Sequence, residues 1–319
     1  PHRNLQEKRW QNSLKKRCQE IARYVLPVAT HAHLYHSITG ITLLRYLRLC
    51  EFFDAPAEQK LLVGKMVSEV RKIDPDFLKN VEDSIPIEQT SEYKFFESRK
   101  NGAHGSAEFV REFDDSLGGL TSKLADYKVN AETVMSDAVR HTLGLLRAEL
   151  TDDEAIDLAL NPLKNDYLSE TMNLNHHSKL SRALTHPHFT FRKKLSHTAD
   201  SQDQRHRTVP GSRPVLARHF SGKPDYITPQ LIAMTPSANA LYAETFETLW
   251  KNMADLLNTG ADLESALYLL PNAFPIRFEE SGTLLDFHHK WVHRLCYTAQ
   301  EEIWKNSVEE VTQVAAVFP

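Results

Sequence analysis

Apolar positions three and four residues apart dominate the chain and predict a protein built mostly of helices. Over residues 5–25, Trp10, Leu14, Cys18, Ile21 and Val25 recur among Lys, Arg and Glu, forming one apolar stripe that runs into Pro27. The same spacing predicts helices over 42–53, 58–73, 131–150, 229–258 and 284–314. Strand signals are sparse. Residues 188–195 (HFTFRKKL) are aromatic and alternating, and 124–129 follow the Gly118-Gly119 pair as a second candidate. Residues 84–119, with Pro86 and four glycines, read as a long connection, and 201–229 as a polar, proline-bearing loop of the kind that carries function.

Composition narrows the class. The 319 residues carry 38 Lys+Arg against 42 Asp+Glu, a formal charge of −4 that excludes a strongly basic nucleic-acid coat. No apolar run approaches the roughly 20 residues that span a bilayer, and no charged-then-apolar leader opens the chain, so neither membrane insertion nor secretion is expected. Cys18, Cys50 and Cys296 are too few and too scattered for a disulfide framework, which points to a reducing cytoplasm. The first residue is Pro1, from which a trimmed or fragmentary N-terminus is expected.

An internal echo organises these elements. Ala22-Arg23-Tyr24-Val25-Leu26-Pro27 returns as Ala266-Leu267-Tyr268-Leu269-Leu270-Pro271, and each copy precedes an apolar helix carrying Arg-Leu-Cys, at 48–50 and 294–296. The ordered series predicts a duplicated unit with a period of roughly 240 residues, its first copy shortened at the N-terminus.

Three segments could carry chemistry. The turn around Arg205, His206 and Arg207 follows the best strand and puts two permanent cations beside an imidazole, suited to phosphate or carbonyl oxygens, and the Pro-Gly-Ser after it allows close backbone approach to an anion. Its alternative is an exposed basic loop pairing with Asp200 and Asp203. On the last helical stretch, Trp291, Leu295, Ala299 and Ile303 form the expected core stripe, with Arg294 at its edge as a partly desolvated cation that meets either a structural carboxylate or a ligand oxygen. His289 and His293 stand at the spacing of a two-His metal pair, but Lys290 stands where an H-E-x-x-H motif needs Glu. His31, His33 and His36 resemble the clustered imidazoles of metal-dependent hydrolases, against a reading as ordinary surface histidines.

The order of these motifs resembles the flavin-dependent thymidylate synthases, the ThyX family: paired His, an F-T-F strand, Gln three residues before R-H-R, a long helix, A-x-x-x-L-P, then an Arg helix ending in A-Q-x-E-I. The resemblance covers about 124–314 as one full repeat and 5–73 as the end of an earlier one. It implies an α+β, helix-rich fold of two ThyX-like repeats, each a small mixed sheet flanked by long helices. Residues 1–110 would be the C-terminal part of the first repeat, 111–122 a linker and 123–319 the second, complete repeat.

Position by position, the resemblance makes Gln202 and Arg205 nucleotide contacts, with Gln300 matching the family's A-Q-x-E. His177, His206, Arg207, His289 and Thr298 fall at flavin-side positions, and Arg294 matches the Arg that contacts the uracil and is the catalytic candidate. The family signature R-H-R-x-x-S-x-N-E-x-S-x-R-Y breaks down after R-H-R, where Pro210, Ser212, Arg213, Val215 and Ala217 stand in place of Ser, Asn, Glu, Ser and Arg. Ser212 and Arg213 are then expected to serve the phosphate by another geometry. The implied activity is C5-methylation of dUMP or a related uridine nucleotide, with FAD as cofactor, methylenetetrahydrofolate and NADPH as cosubstrates and no metal. The implied assembly is a homodimer of double-repeat chains, with no nucleic-acid or membrane partner. The alternatives are a degenerate relative acting as a pseudoenzyme or assembly subunit, and a His-based metal hydrolase.

Overall fold

The computed structural model describes residues 7–98 and 107–319. Five helices, α1 (Lys8–Ala22), α2 (Gly40–Leu49), α3 (Ala57–Ile73), α4 (Ser91–Glu97) and α5 (Ala107–Leu117), precede the first strand, β1 (Ser122–Tyr127). Then α6 (Ala131–Leu143) and α7 (Asp152–Leu160) lead through short 3-10 turns to β2 (His188–Ser196) and α8 (His197–Asp203). After β3 (Gly211–Ser212) come α9 (Leu216–His219), α10 (Gln230–Ala233), α11 (Pro236–Asn258) and α12 (Leu263–Leu267). The described chain closes with β4 (Pro275–Thr283), α13 (Leu284–Arg294) and α14 (Glu301–Val317). Among the described residues no helix is long and apolar enough to cross a membrane.

The expected α+β class holds, with one correction: the sheet is antiparallel throughout rather than mixed, in the order β1-β2-β4-β3. β2 and β4 pair over nine positions, from His188 opposite Thr283 to Ser196 opposite Pro275. Alternation on β2 buries Phe189, Phe191, Lys193 and Leu195 on one face. Ile276 and Phe278 of β4 pack with Tyr242, Phe246, Trp250 and Met253 of α11, while Phe189 and Phe191 pack with Phe287 and Trp291 of α13. The opposite face carries charge. Arg277 of β4 is fully buried between Asp114 (2.8 Å) and Asp225 (2.8 Å), and Lys194 of β2 reaches Asp114 at 2.6 Å. Asp114 belongs to α5, so part of the stretch expected as linker is a helix docked on the sheet.

Several predicted helices are interrupted where the local chemistry ends them. Gly144, at φ 71°, stops α6 in a left-handed C-cap, and Thr151 starts α7 with a capping box to Glu154. Pro236 restarts the 229–258 stretch as α11. The stretch expected as one helix over 284–314 is two, because Leu295 ends α13 and Gln300 caps α14 through Ile303 N–H. The expected stripe through Leu295 and Ala299 is therefore not formed, and Leu295 is exposed.

The two echo segments lie against each other. Pro27 and Pro271 form an antiparallel bridge; Val28 and Ala29 N–H donate to Leu270 and Tyr268 O, and Asn272 and Ala273 N–H donate to Leu26 and Tyr24 O, at 2.8–3.0 Å. Elements beyond the bridge recur with a constant offset of 244 positions. Thr39 caps α2 and Thr283 caps α13, α2 starts at 40 and α13 at 284, and α3 (57–73) corresponds to α14 (301–317) at both ends. One element breaks the series. β4 occupies 275–283, whereas its counterpart, 31–39, is irregular and pairs with no strand among the described residues.

Candidate active site

β2 delivers its chain directly into α8 because Ser196 accepts the Ala199 N–H as N-cap. Ser196 is itself fixed by Glu302 of α14, which accepts from Ser196 N (2.6 Å) and Oγ (2.6 Å). The turn after α8 then closes through His206 N–H to Asp203 O and Val209 N–H to His206 O, and carries Arg205 and Arg207 outward as exposed cations. From the other side, the last turn of α13 brings in Arg294. Its Nε donates to His206 Nε2 at 2.9 Å and a terminal nitrogen donates to Gln202 O at 2.8 Å. The guanidinium is half-buried. Burial and the neighbouring Arg205 lower its pKa while Asp203 pulls it up.

Three imidazoles line the same place. His289 and His293 rings lie 4.5 Å apart, and His206 lies 5.8 Å from His289 and 6.2 Å from His293. His206 is 7% exposed, and burial, reinforced by Arg294 and Lys290, pushes its pKa down to about 4. It is therefore neutral near pH 7, and the bond from Arg294 assigns Nε2 as acceptor and leaves the proton on Nδ1. His289 is also pushed down, by burial, His293 and His176. Among the described residues no group of three or more His, Cys, Asp or Glu is arranged to hold a metal ion; His31, His33 and His36 are exposed.

Next to these side chains lies a buried charged cluster that sequence reasoning missed. Lys193, Lys290, Asp203, Glu280 and Glu310 are all at most 1% exposed. Lys290 contacts Glu280 (2.5 Å) and Asp203 (2.8 Å); Lys193 contacts Glu280 (2.9 Å), Glu310 (2.9 Å) and Asp203 (3.2 Å); Trp291 Nε1 donates to Glu310 at 2.7 Å. Within this fully buried set two lysines face three carboxylates, with Arg213 at its edge 3.9 Å from Asp203, and burial favours one carboxylate keeping its proton. Against the cost of burial, Lys193 and Lys290 hold Asp203 well below the usual carboxylate range and Glu310 below its ordinary value. Burial raises Glu280 to about 7. Glu280 Oε1 otherwise lacks a hydrogen-bond partner, and Asp203 Oδ1 has only the Lys290 ammonium at 2.8 Å, which fits a proton held by Glu280 toward Asp203.

The remaining expected residues scatter. Arg213 is engaged by Asp200, with Nε at 3.0 Å and a terminal nitrogen at 2.8 Å from Oδ1, and its guanidinium lies 4.7 Å over the Phe278 ring. Ser212 is exposed on β3. Gln300 caps α14 with its Oε1, and its amide nitrogen donates to the hydroxyl of Tyr24 from the other echo segment. Thr298 is exposed and pairs with Cys296 Sγ at 3.0 Å. His177 is exposed in the turn after residues 174–176, and it is its neighbour His176 whose field reaches His289. Thus Gln202, His206, Arg294 and His289 come together with Arg205 near them.

Comparison with known proteins adds the following. The model of a family described as thymidylate synthase complementing protein matches residues 3–76 and 123–319. A flavin-dependent thymidylate synthase of Geobacter sulfurreducens is 29% identical over 164 residues, which cover 48% of this chain and 66% of that protein. The chain thus matches just under two thirds of that relative's length. Two Helicobacter pylori structures align over 60% of this chain: thymidylate synthase X with FAD and dUMP (TM-score 0.45, 15% identity, 92% of that chain), and the flavin-dependent enzyme complexed with FAD and dUMP (TM-score 0.42, 16%, 93%).

Proposed function

Since the chain belongs to the thymidylate synthase complementing protein family, we propose that it is a flavin-dependent thymidylate synthase, transferring a one-carbon unit to C5 of dUMP or a related uridine nucleotide. FAD, when bound, would supply the hydride, with methylenetetrahydrofolate as carbon donor and NADPH as reductant. The observation that carries this reading is the meeting of Arg294 with His206 and Gln202 at hydrogen-bond distance from two separate elements.

The residues present suit an anionic nucleotide. Arg205 and Arg207 stand on the rim as exposed cations, while Arg213 is committed to Asp200. Phosphate binding therefore falls to the first pair. Arg294 is held at Nε and at one terminal nitrogen, which leaves the other terminal nitrogen to donate to a pyrimidine carbonyl. A half-buried, prealigned donor stabilises charge that develops on that oxygen without reorganising. His206 and His289, both pushed toward the neutral form by burial, offer with the adjoining His293 ring a polar wall where an isoalloxazine could lie. The two echo-bearing halves are read as repeats, and the double-repeat chain as forming a homodimer in the cytoplasm.

A second reading has one observation in its favour. The Arg213–Asp200 pair removes a cation from the phosphate side, as expected of a relative that keeps the scaffold and has lost nucleotide binding. Purified protein separates the two. A flavin absorption band near about 450 nm together with dUMP-dependent NADPH oxidation is expected of the enzyme; protein that stays colourless after incubation with FAD and consumes no NADPH is the scaffold.

A further inference from the structure

The last turn of α13 is exposed at Val292 and His293, and the helix ends at Leu295, which is exposed as well. Trp291 is pinned toward β2 and α14, by Phe189 and by Glu310, rather than toward α8. One turn before Arg294, on the same face of the helix, Lys290 is wholly buried. Its ammonium lies 2.8 Å from Oδ1 of Asp203, the last residue of α8, and 2.5 Å from Glu280 Oε2 of β4. Asp203 directly follows Gln202, whose carbonyl accepts from Arg294 at 2.8 Å, and its own carbonyl accepts the His206 N–H at 3.1 Å. Two rungs one helical turn apart therefore join α13 to the α8 turn. The inner one, Lys290–Asp203, is dry, and the outer one, Arg294 with His206 and Gln202, is half-buried.

We propose that Lys290 is a positioning residue for Arg294: by fixing α13 against Asp203 and β4, it sets the spacing at which the guanidinium meets His206 and Gln202. The aim of the remaining guanidinium nitrogen follows from that spacing. An ammonium buried between carboxylates has no solvent to turn to, so any slip of α13 along α8 breaks charge-assisted bonds in a dry place. The outer rung borders solvent and tolerates such a slip more easily. Glu280 gives the inner rung a rigid base, because β4 is paired on both sides in the sheet. Lys193 is the useful contrast. It meets the same cluster, at Glu280, Glu310 and Asp203, but enters from β2, so it neutralises carboxylates without holding α13. The consequence for turnover rests on the activity proposed above; the consequence for the geometry of Arg294 does not.

The test compares two double variants that each remove one buried ion pair. Lys290→Met with Asp203→Asn deletes the inner rung and leaves Lys193 on Glu310; Lys193→Met with Glu310→Gln leaves Lys290 on Asp203. In the intact protein without nucleotide or flavin, exchange of the Arg294 Nε–H with water is followed by nitrogen-edited NMR, the signal being identified by its loss in Arg294→Lys. Exchange should be about tenfold faster in the first variant and parental in the second. In the dUMP-dependent NADPH assay the first should lose about 10–10²-fold in kcat with KM within about threefold of the parent. Parental Nε–H exchange in the first variant overturns the proposal. Equal acceleration in both overturns it too, since the cluster would then act only as a structural block. Should either double variant fail to fold, Asp203→Asn alone decides. It weakens the rung while leaving two lysines against Glu280 and Glu310, and should speed exchange about threefold or more; parental exchange there is equally fatal. Because the Nε–H signal needs no ligand, a protein without turnover refutes the proposed activity and leaves the role of Lys290 to the spectrum.

Discussion

Arg294 Nε donates to His206 Nε2 at 2.9 Å, and the bond exists only while His206 is neutral. Protonation would remove the acceptor and set two cations in contact, so the folded protein resists charging this ring and its pKa falls to about 4. An unfolded chain charges the same ring near 6.5. Between these values the unfolded state binds more protons, so stability from this group is present above about pH 6.5 and is lost as the pH falls through 4.

The consequence is measurable by difference. His206→Gln keeps an acceptor for Arg294 and cannot titrate. Urea unfolding of both proteins between pH 7 and 4 should show the parent losing on the order of 2–3 kcal/mol more than the variant. His219, also pushed down to about 4 by burial and then by Arg277, is present in both proteins and cancels. Parallel pH profiles for the two would sink the assignment of a neutral His206.

Arg294→Lys keeps the charge but not the fork. An ammonium cannot hold both His206 Nε2 and Gln202 O while donating to a ligand oxygen. Turnover in the dUMP-dependent NADPH assay should fall by about 10²–10³-fold, and Arg294→Ala should abolish it. Both variants should fold, since the side chain is half-buried at the end of a helix and outside the apolar clusters. Retained activity in Arg294→Ala would remove the residue from the mechanism.

How far the sequence reaches differs from element to element. β2 was legible because one face is buried, so that Phe189, Phe191 and Leu195 alternate with polar residues. β4 was not. It is covered on both faces, and its Arg277, Glu279 and Glu280 find partners on α5, β2 and α13, so the alternation of Ile276 to Glu279 stops at Glu280 and is too short to stand out in PIRFEESGT. Arg294 and the Gln202–Arg207 turn were legible from the order of motifs. The five-residue cluster beneath them was not, because each charge reads as a surface residue until the sheet brings its partners in. Lys290 was even noticed, but only as the wrong residue for a zinc motif.

That cluster makes a prediction of opposite sign to that for His206. Burial raises Glu280 to about 7 from an ordinary value near 4.5, so its contribution to stability is full below about pH 4.5 and is lost as the pH rises through 7. Glu280→Gln imitates the protonated acid and should lack this loss in thermal unfolding between pH 5 and 8. Lys193→Met should behave quite differently. It leaves three buried carboxylates with one lysine and should cost about 3–5 kcal/mol. A Glu280→Gln protein that follows the parent's pH dependence would show that the excess proton resides elsewhere.

The junction between the echo segments offers the last test. Tyr24 donates to Glu302 Oε2 at 2.5 Å and accepts from Gln300, while Glu302 holds Ser196 at the start of α8. The N-terminal echo segment thus braces the strand-to-helix joint that leads to the Gln202–Arg207 turn. Glu302 is buried, and burial raises its pKa, so each hydrogen bond to it matters. Tyr24→Phe keeps the ring in its apolar surroundings but leaves Gln300 Nε2 without its partner and takes one of the three donors from Glu302. The expected cost is about 1–3 kcal/mol, read as a lower urea midpoint with an unchanged slope. If the bracing reaches the Arg294–His206 pair, the same variant should also weaken dUMP binding. An unchanged midpoint would mean that the Tyr24 hydroxyl contributes nothing at this joint.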